Sequence, residues 1–301
     1  MSARLRPLRV AIVALFASVM TAHAQKPLKV FISVDMEGIT GVVSDQQLGP
    51  GGFEYEQARR WMTADALAAV RGAKEAGATA IVVADAHGNG QSLLIEQFPD
   101  DVTIVRSWPR PDGMMSGLDS SFAAAIFIGY HTGTGNAAGV RAHTQSSASF
   151  TSVKLNGIEV PEGGINAAIA GWYGVPVVAV SGDDAAIAEV RKFTGPIEAA
   201  QVKTAQSFHS AATLTPAAGQ ALIQRAVRAG VERRASIKPY RLDGAVTLEL
   251  SLKHYRAVEA LAMLPIVQRV ASHTVRFIGK NIREVENFLQ FVTEYRVDLT
   301  P

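Results

Sequence analysis

The sequence predicts an α/β fold, a largely parallel sheet with flanking helices, plus a smaller C-terminal α+β lobe. Three features carry that prediction. Short apolar, β-branched runs alternate with stretches of helical period, the pattern of βαβ units. Each of the first four runs ends abruptly in acids or histidine. From about Gln201 the chain turns more helical and more basic, and its polar residues no longer gather at strand ends.

The chain has 301 residues, 48% of them hydrophobic, enough for a large core and unlike a disordered chain. Its N-terminus reads as a secretory signal peptide over residues 1–24. Arg4, Arg6 and Arg9 form a basic start, Val10 to Met20 an apolar run, and Ala22-His23-Ala24 a small-residue cleavage site. Such a run is too short to remain as a membrane anchor after processing. Cleavage would remove three arginines and take the formal charge from +2 to about −1, leaving no basic footprint for nucleic acid. The expected location is periplasmic or secreted. No cysteine occurs, so an exported chain of this sequence has no disulfides, and any metal must be held by histidine and carboxylate.

In order, Val30–Val34 reads as a buried strand that ends in Asp35 and Glu37. Glu54–Ala76 carries a helical stripe of Ala58, Trp61, Met62, Leu67 and Val70, stopped by Gly77. Thr79–Ala84 is a second strand, ending in Asp85-Ala86-His87, and Ala123–Tyr130 a third, ending in His131. A fourth, Val175–Val180, runs to Asp183 and Asp184, with helices at Ile165–Tyr173 and Ala185–Phe193. These elements make residues 25–200 an α/β metal-binding catalytic domain. Residues 201–301 form an α+β assembly or packing lobe: helix Pro216–Arg234, strand Ala245–Leu252, helix His254–Met263, strand Val267–Phe277 and helix Ile282–Tyr295.

In a parallel sheet the ligand lies beyond the carboxyl ends of the strands, and here those ends carry Asp35 and Glu37, His87, His131, and Asp183 and Asp184. Side chains two apart on a strand share a face, so Asp35 and Glu37 point the same way and repel unless a cation lies between them. Taken singly each candidate has a plainer role. An acidic pair can cap a turn, a lone histidine can be satisfied by a carbonyl, His143 can be an exposed loop residue, and Glu162 can complement the dipole of the helix it precedes. Gly133-Thr134-Gly135-Asn136-Ala137-Ala138 matches a dinucleotide fingerprint, but the residues after it do not read as the helix that would receive a pyrophosphate.

Taken together, Ser33-Val34-Asp35-Met36-Glu37-Gly38, Asp85-Ala86-His87, Gly129-Tyr130-His131, His143, and Glu162 followed by Gly164-Ile165-Asn166 resemble the signature of the DppA-type D-aminopeptidases, the M55 family of metallopeptidases. The resemblance runs from Val30 to Asp184 and continues more weakly to the C-terminus. It implies a zinc centre of two Zn2+ per subunit on Asp35, Glu37, His87, His131 and Glu162, with Asp35 bridging and His143 catalytic. It further implies hydrolysis of short peptides with an N-terminal D-residue, such as D-Ala-D-Ala, by a homo-oligomer in the form of a ring-shaped decamer. The rival readings are a related metallo-amidase or L-specific peptidase, and an exported metal- or small-ligand-binding protein without turnover.

Overall fold

A computed structural model describes residues 27–295. The leader expected over residues 1–24 lies outside the described residues. Among the described residues, two sheets and six α-helices build the fold. In chain order the elements are β1 (Lys29–Val34), α1 (Tyr55–Glu75), β2 (Ala80–Asp85), β3 (Val102–Val105), β4 (Ala124–Tyr130), β5 (Phe150–Leu155) and β6 (Ile158–Glu159). Then come α2 (Glu162–Trp172), β7 (Val177–Asp183), α3 (Asp184–Thr194), β8 (Glu198–Ser207), β9 (Ser210–Thr213) and α4 (Pro216–Arg233). The chain closes with β10 (Val246–Leu252), α5 (Tyr255–Leu261), β11 (Val267–Ala271), β12 (Thr274–Gly279) and α6 (Ile282–Glu294).

The main sheet has the order β3-β2-β1-β4-β7-β8-β9 and is parallel except for the β8-β9 hairpin at its edge. Its central strands are apolar on both sides because both faces are covered. On β1, Val30, Ile32 and Val34 pack toward α1 and α4, beside Met62, Ala66, Ile223 and Val227. Phe31 points the other way, into a core shared with Phe127, Ile165 and the second sheet. That second sheet, antiparallel in the order β11-β12-β10-β5-β6, carries an alternating pattern on β10, with Val246, Leu248, Leu250 and Leu252 buried. No helix among the described residues is long and apolar enough to cross a membrane.

Several elements differ from the expectation. The stretch Val267–Phe277 is a hairpin, β11 and β12, turning at Ser272 and His273. The β5-β6 hairpin turns on Asn156-Gly157, both at positive φ, the geometry that suits a two-residue hairpin loop. The boundary expected at residue 200 does not separate the sheets. β8, β9 and α4, from its far side, complete the main sheet and its cover, while β5 and β6, from its near side, pair into the second sheet. The glycine fingerprint, by contrast, runs as expected into turns and loop over residues 133–149 rather than into a helix.

Helix α6 is capped by Asn281, whose side chain accepts from the Glu284 amide at 3.1 Å, and it buries Val285, Phe288 and Leu289. The same face buries Glu286, whose Oε1 accepts from Gln290 Nε2 at 3.1 Å while Oε2 has no partner. Burial pushes this carboxyl up to about 8, helped by the charges of Asp112 and Glu162. A folded-state value above the unfolded one favours folding below the unfolded pKa, and that contribution is lost as pH rises toward 8. Glu286→Gln keeps the Gln290 contact and removes the titration. Thermal or denaturant melts from pH 5 to 9 are expected to show the variant gaining on the parent with rising pH up to about 8, by at most roughly 4 kcal/mol, and level above it. A constant difference across that range would show that Glu286 is not the titrating group.

Candidate metal centre

Strands β1, β2 and β4 lie side by side, with Val34 level with Asp85 on one neighbour and Ile128 on the other. The residues that leave these strands therefore emerge on one rim. Asp35 and Glu37 follow β1, His87 follows β2, and His131 follows β4. Glu162 stands in the first turn of α2 and His143 in the loop between β4 and β5. All six predicted residues meet in one cluster, and all but His143 are buried. Asp183 and Asp184 do not join it. Asp183 caps α3 through the Ala186 amide and accepts from Val140 N at 2.8 Å, and Asp184 accepts from Ala205 N.

The geometry divides around Asp35. Its Oδ1 lies 3.3 Å from His87 Nδ1, which is also 2.9 Å from Glu37 Oε2. Its Oδ2 lies 3.2 Å from His131 Nε2, which is 3.3 Å from Glu162 Oε2. His143 stacks on His131 with ring centroids 4.1 Å apart and places Nε2 3.7 Å from Glu162 Oε1. Among the described residues, the donor atoms of Asp35, Glu37 and His131, and those of His131, His143 and Glu162, form two sets that each lie within 4.8 Å.

Backbone carbonyls determine what these histidines offer. His87 donates from Nε2 to Leu48 O at 2.8 Å, His131 from Nδ1 to Thr132 O at 2.9 Å, and His143 from Nδ1 to Arg141 O at 2.8 Å. In a neutral imidazole the other nitrogen is then a lone pair, and on all three rings it faces carboxylate oxygen. Acceptor against acceptor is repulsive unless a cation fills the gap. His131 Nε2 and Asp35 Oδ2 are buried with no hydrogen-bond partner, which is the condition expected of metal donors. The spacings also suit an ion, since two ligands each about 2.0–2.2 Å from a tetrahedral Zn2+ lie roughly 3.3–3.5 Å apart.

Without metal, protons must do that work. Burial would lower His87 and His131, but the charges of Glu37 and Glu162 outweigh it, and both are held well above the usual imidazole range. Burial likewise opposes ionisation of Glu37 and Glu162, yet the facing histidines hold both below the usual carboxylate range. Asp35 is raised, by burial and then by Glu37. Metal binding at this cluster must displace protons.

The loop after β1 is tied from several sides. Gly38 N donates to Gly129 O at 2.7 Å, and a Cβ on Gly38 would sit 2.1 Å from Tyr130 O, so only glycine allows this approach. Thr40 donates twice to Asp65 of α1, from its amide at 3.1 Å and its hydroxyl at 2.9 Å. Lys203, buried on β8, donates to the carbonyls of Glu37 at 2.5 Å, Ile39 at 3.1 Å and Val42. The His143 loop is both strained and tied. Arg141 and Gln145 both adopt left-handed backbone, at φ 56° and 64°, a conformation that costs about 1–3 kcal/mol for a residue other than glycine. Arg141 is fixed by its ion pair with Asp45 and by Phe208, whose ring lies 4.7 Å from the guanidinium, and Gln145 N donates to Glu162 Oε1 at 2.7 Å. Sequence reading missed Lys203, Asp65 and Arg141. A lysine in an alternating strand and an acid in a helix carry no motif that marks them.

A cavity of about 280 Å³ opens over the cluster, walled by Ala86, Trp108, Met114, Gln145 and Gln290. The sequence profile of the peptidase family M55, D-aminopeptidase, matches residues 28–291. The chain belongs to that family. It is 29% identical to a D-aminopeptidase of Bacillus subtilis over 268 residues, 89% of this chain and 97% of that protein. The fold is similar to a solved structure of the Zn-dependent D-aminopeptidase DppA from Bacillus subtilis, a self-compartmentalizing protease, with a TM-score of 0.86 and 29% identity over 91% of this chain and 100% of that one. Membership of a peptidase family, with donors clustered as above, makes this M55 member a metallo-aminopeptidase.

Lys203 supplies a test of the scaffold. Lys203→Met leaves three loop carbonyls without their donor, and metal affinity should fall by roughly 10–100-fold, the cost typical of losing a group that orients ligands. Denaturant stability of the metal-free protein should fall by roughly 1–3 kcal/mol. Metal titration that returns parental affinity would remove Lys203 from any positioning role.

Proposed function

We propose that the protein is a zinc-dependent aminopeptidase acting on short peptides with an N-terminal D-residue, of the D-Ala-D-Ala type, through two Zn2+ per subunit. The observation that carries this reading is Asp35, which turns one carboxylate oxygen toward His87 and Glu37 and the other toward His131 and Glu162. Each oxygen with its neighbours would hold one cation, which supports Asp35 as the ligand shared by the two sites. The zinc dependence of the Bacillus subtilis structure supports the choice of metal.

Bound zinc would supply Lewis acidity toward the scissile carbonyl and make water a nucleophile near neutral pH. The chain's own residues do the rest. Asp35, Glu37 and Glu162 would hold the cations in a buried cluster, and the carbonyls of Leu48 and Thr132 set the tautomers of His87 and His131. His143 keeps its proton on Nδ1, bonded to Arg141 O, and presents Nε2 at the edge of the cluster beside the cavity. There it takes up a proton from the nucleophile or, once protonated, donates toward the oxyanion or the leaving amine.

The relative's self-compartmentalizing character supports a homo-oligomer, for which we propose the ring-shaped decamer. Exposed Phe53, Met263, Ile266 and Ile278 give this chain apolar surface for such contacts. We further propose that residues 1–24 are removed on export, so that the enzyme meets its substrate in the periplasm or outside the cell. N-terminal sequencing of the exported protein should then begin near Gln25, and an intact Met1 would refute export by this leader. Light scattering should find a multi-subunit particle, and monomer alone would contradict the ring.

Asp35→Ala removes a donor from both sites, so zinc per subunit and thermal stability should fall together. His143→Ala should retain zinc while kcat on D-Ala-D-Ala drops by roughly two to four orders of magnitude and KM changes little. Elemental analysis beside steady-state kinetics reads both. If His143→Ala loses zinc as Asp35→Ala does, His143 is a ligand. If zinc is bound but no D- or L-aminoacyl peptide or amide is cleaved, the protein is a metal binder.

A further inference from the structure

The cavity over the metal centre does not end there. It continues outward into a cleft of about 540 Å³ and shares with it a wall formed by Trp108, Gln145, Ser146, Thr293 and Glu294. For an aminopeptidase the metal centre takes the N-terminal residue and the scissile bond, so this outer cleft receives the peptide on the leaving-amine side of that bond. Apart from one residue its lining is uncharged, and it includes the polar side chains of Asn89, Gln91 and Ser107. Among the described residues that line it, Glu294 alone carries a charge.

Glu294 is also the last residue of α6, a helix of 13 residues with no basic side chain in its final turn. A helix C-terminus carries a partial negative charge that favours cations, and a carboxylate there is unfavourable for the helix. The last turn of α6 nevertheless lines the cavity through Gln290, Thr293 and Glu294, and the cleft through Thr293 and Glu294. A carboxylate and a negative helix pole thus meet at the exit of a pocket whose floor already holds Asp35, Glu37 and Glu162. Two bound cations would offset the floor. Held by those carboxylates they would lie at the inner end, which leaves Glu294 and the helix pole as the charges at the exit.

We infer that Glu294 is a specificity residue, and that the cleft selects D-aminoacyl peptides carrying a cationic side chain immediately after the scissile bond over those carrying an anionic group there. The inference rests on the aminopeptidase reading and narrows its substrate class.

The test is a series of D-Ala-Lys-amide, D-Ala-Ala-amide and D-Ala-Glu-amide, cleaved by the zinc-loaded oligomer and by its Glu294→Gln variant. The readout is the ratio of kcat/KM within each protein, with the alanine peptide as internal reference. In the parent the lysine peptide should exceed the glutamate peptide by roughly tenfold, falling toward parity as ionic strength rises, as for charges facing each other across a partly solvated gap. Glu294→Gln should compress that ratio to within about threefold at low salt. A parent that prefers the glutamate peptide, or treats the two alike, overturns the inference while leaving the peptidase reading intact. So does a preference that persists undiminished in Glu294→Gln. Cleavage of none of the three by zinc-loaded protein overturns the peptidase reading, and this inference with it.

Discussion

Three buried carboxylates and three imidazole lone pairs are held against one another at the rim of the main sheet, and that arrangement is repulsive in the bare polypeptide. Asp35, Glu37 and Glu162 share the cluster with His87, His131 and His143, and Asp35 Oδ2 and His131 Nε2 find no hydrogen-bond partner within it. Left to itself such a group would spread apart, or hold protons as the raised values of His87 and His131 indicate. The surrounding structure prevents the spreading. It holds the donors at the spacing of a coordination sphere.

Each part of the fold contributes to that restraint. The parallel register brings the ends of β1, β2 and β4 level, and Gly129 lets the β1 loop lie directly on β4. Lys203 from β8 and Asp65 from α1 tie the same loop from other directions. The His143 loop is held in two left-handed residues, one of them anchored through Asp45 and Phe208. Desolvation of so many polar groups disfavours folding, and the apolar cores on both faces of the sheet offset it.

The main sheet's inner strands were legible because a strand buried on both faces is written as a continuous apolar run, and the helices between them as stripes. The candidate site was legible for a related reason. Asp35, Glu37, His87 and His131 interrupt those runs at their ends, where a change from apolar to ionisable residues stands out. What escaped depended on partners remote in sequence. β5 pairs with β10 about a hundred residues away, as the Thr151 to Ser251 contact shows, so no local pattern reveals the second sheet. The Asn156-Gly157 turn did carry a local signal, but strands as short as β6 do not declare a period. Lys203 looks like any lysine on an edge-like strand, and Glu294 like any acid near a chain end. Their roles come from what they face.

The interleaving of the two sheets bears on how the molecule comes into being. The bond from Lys203 to Glu37 spans 166 positions, and α6, at the far end of the described chain, supplies one wall of the cavity. A ribosome that has made only the first 180 residues has delivered every one of the six clustered side chains without the strand that tethers their loop or the helix that encloses their pocket. Contacts of such long range form late and slowly. Until the last third of the chain folds back over the first, the six side chains lack both the tether that fixes their loop and the wall that encloses their pocket.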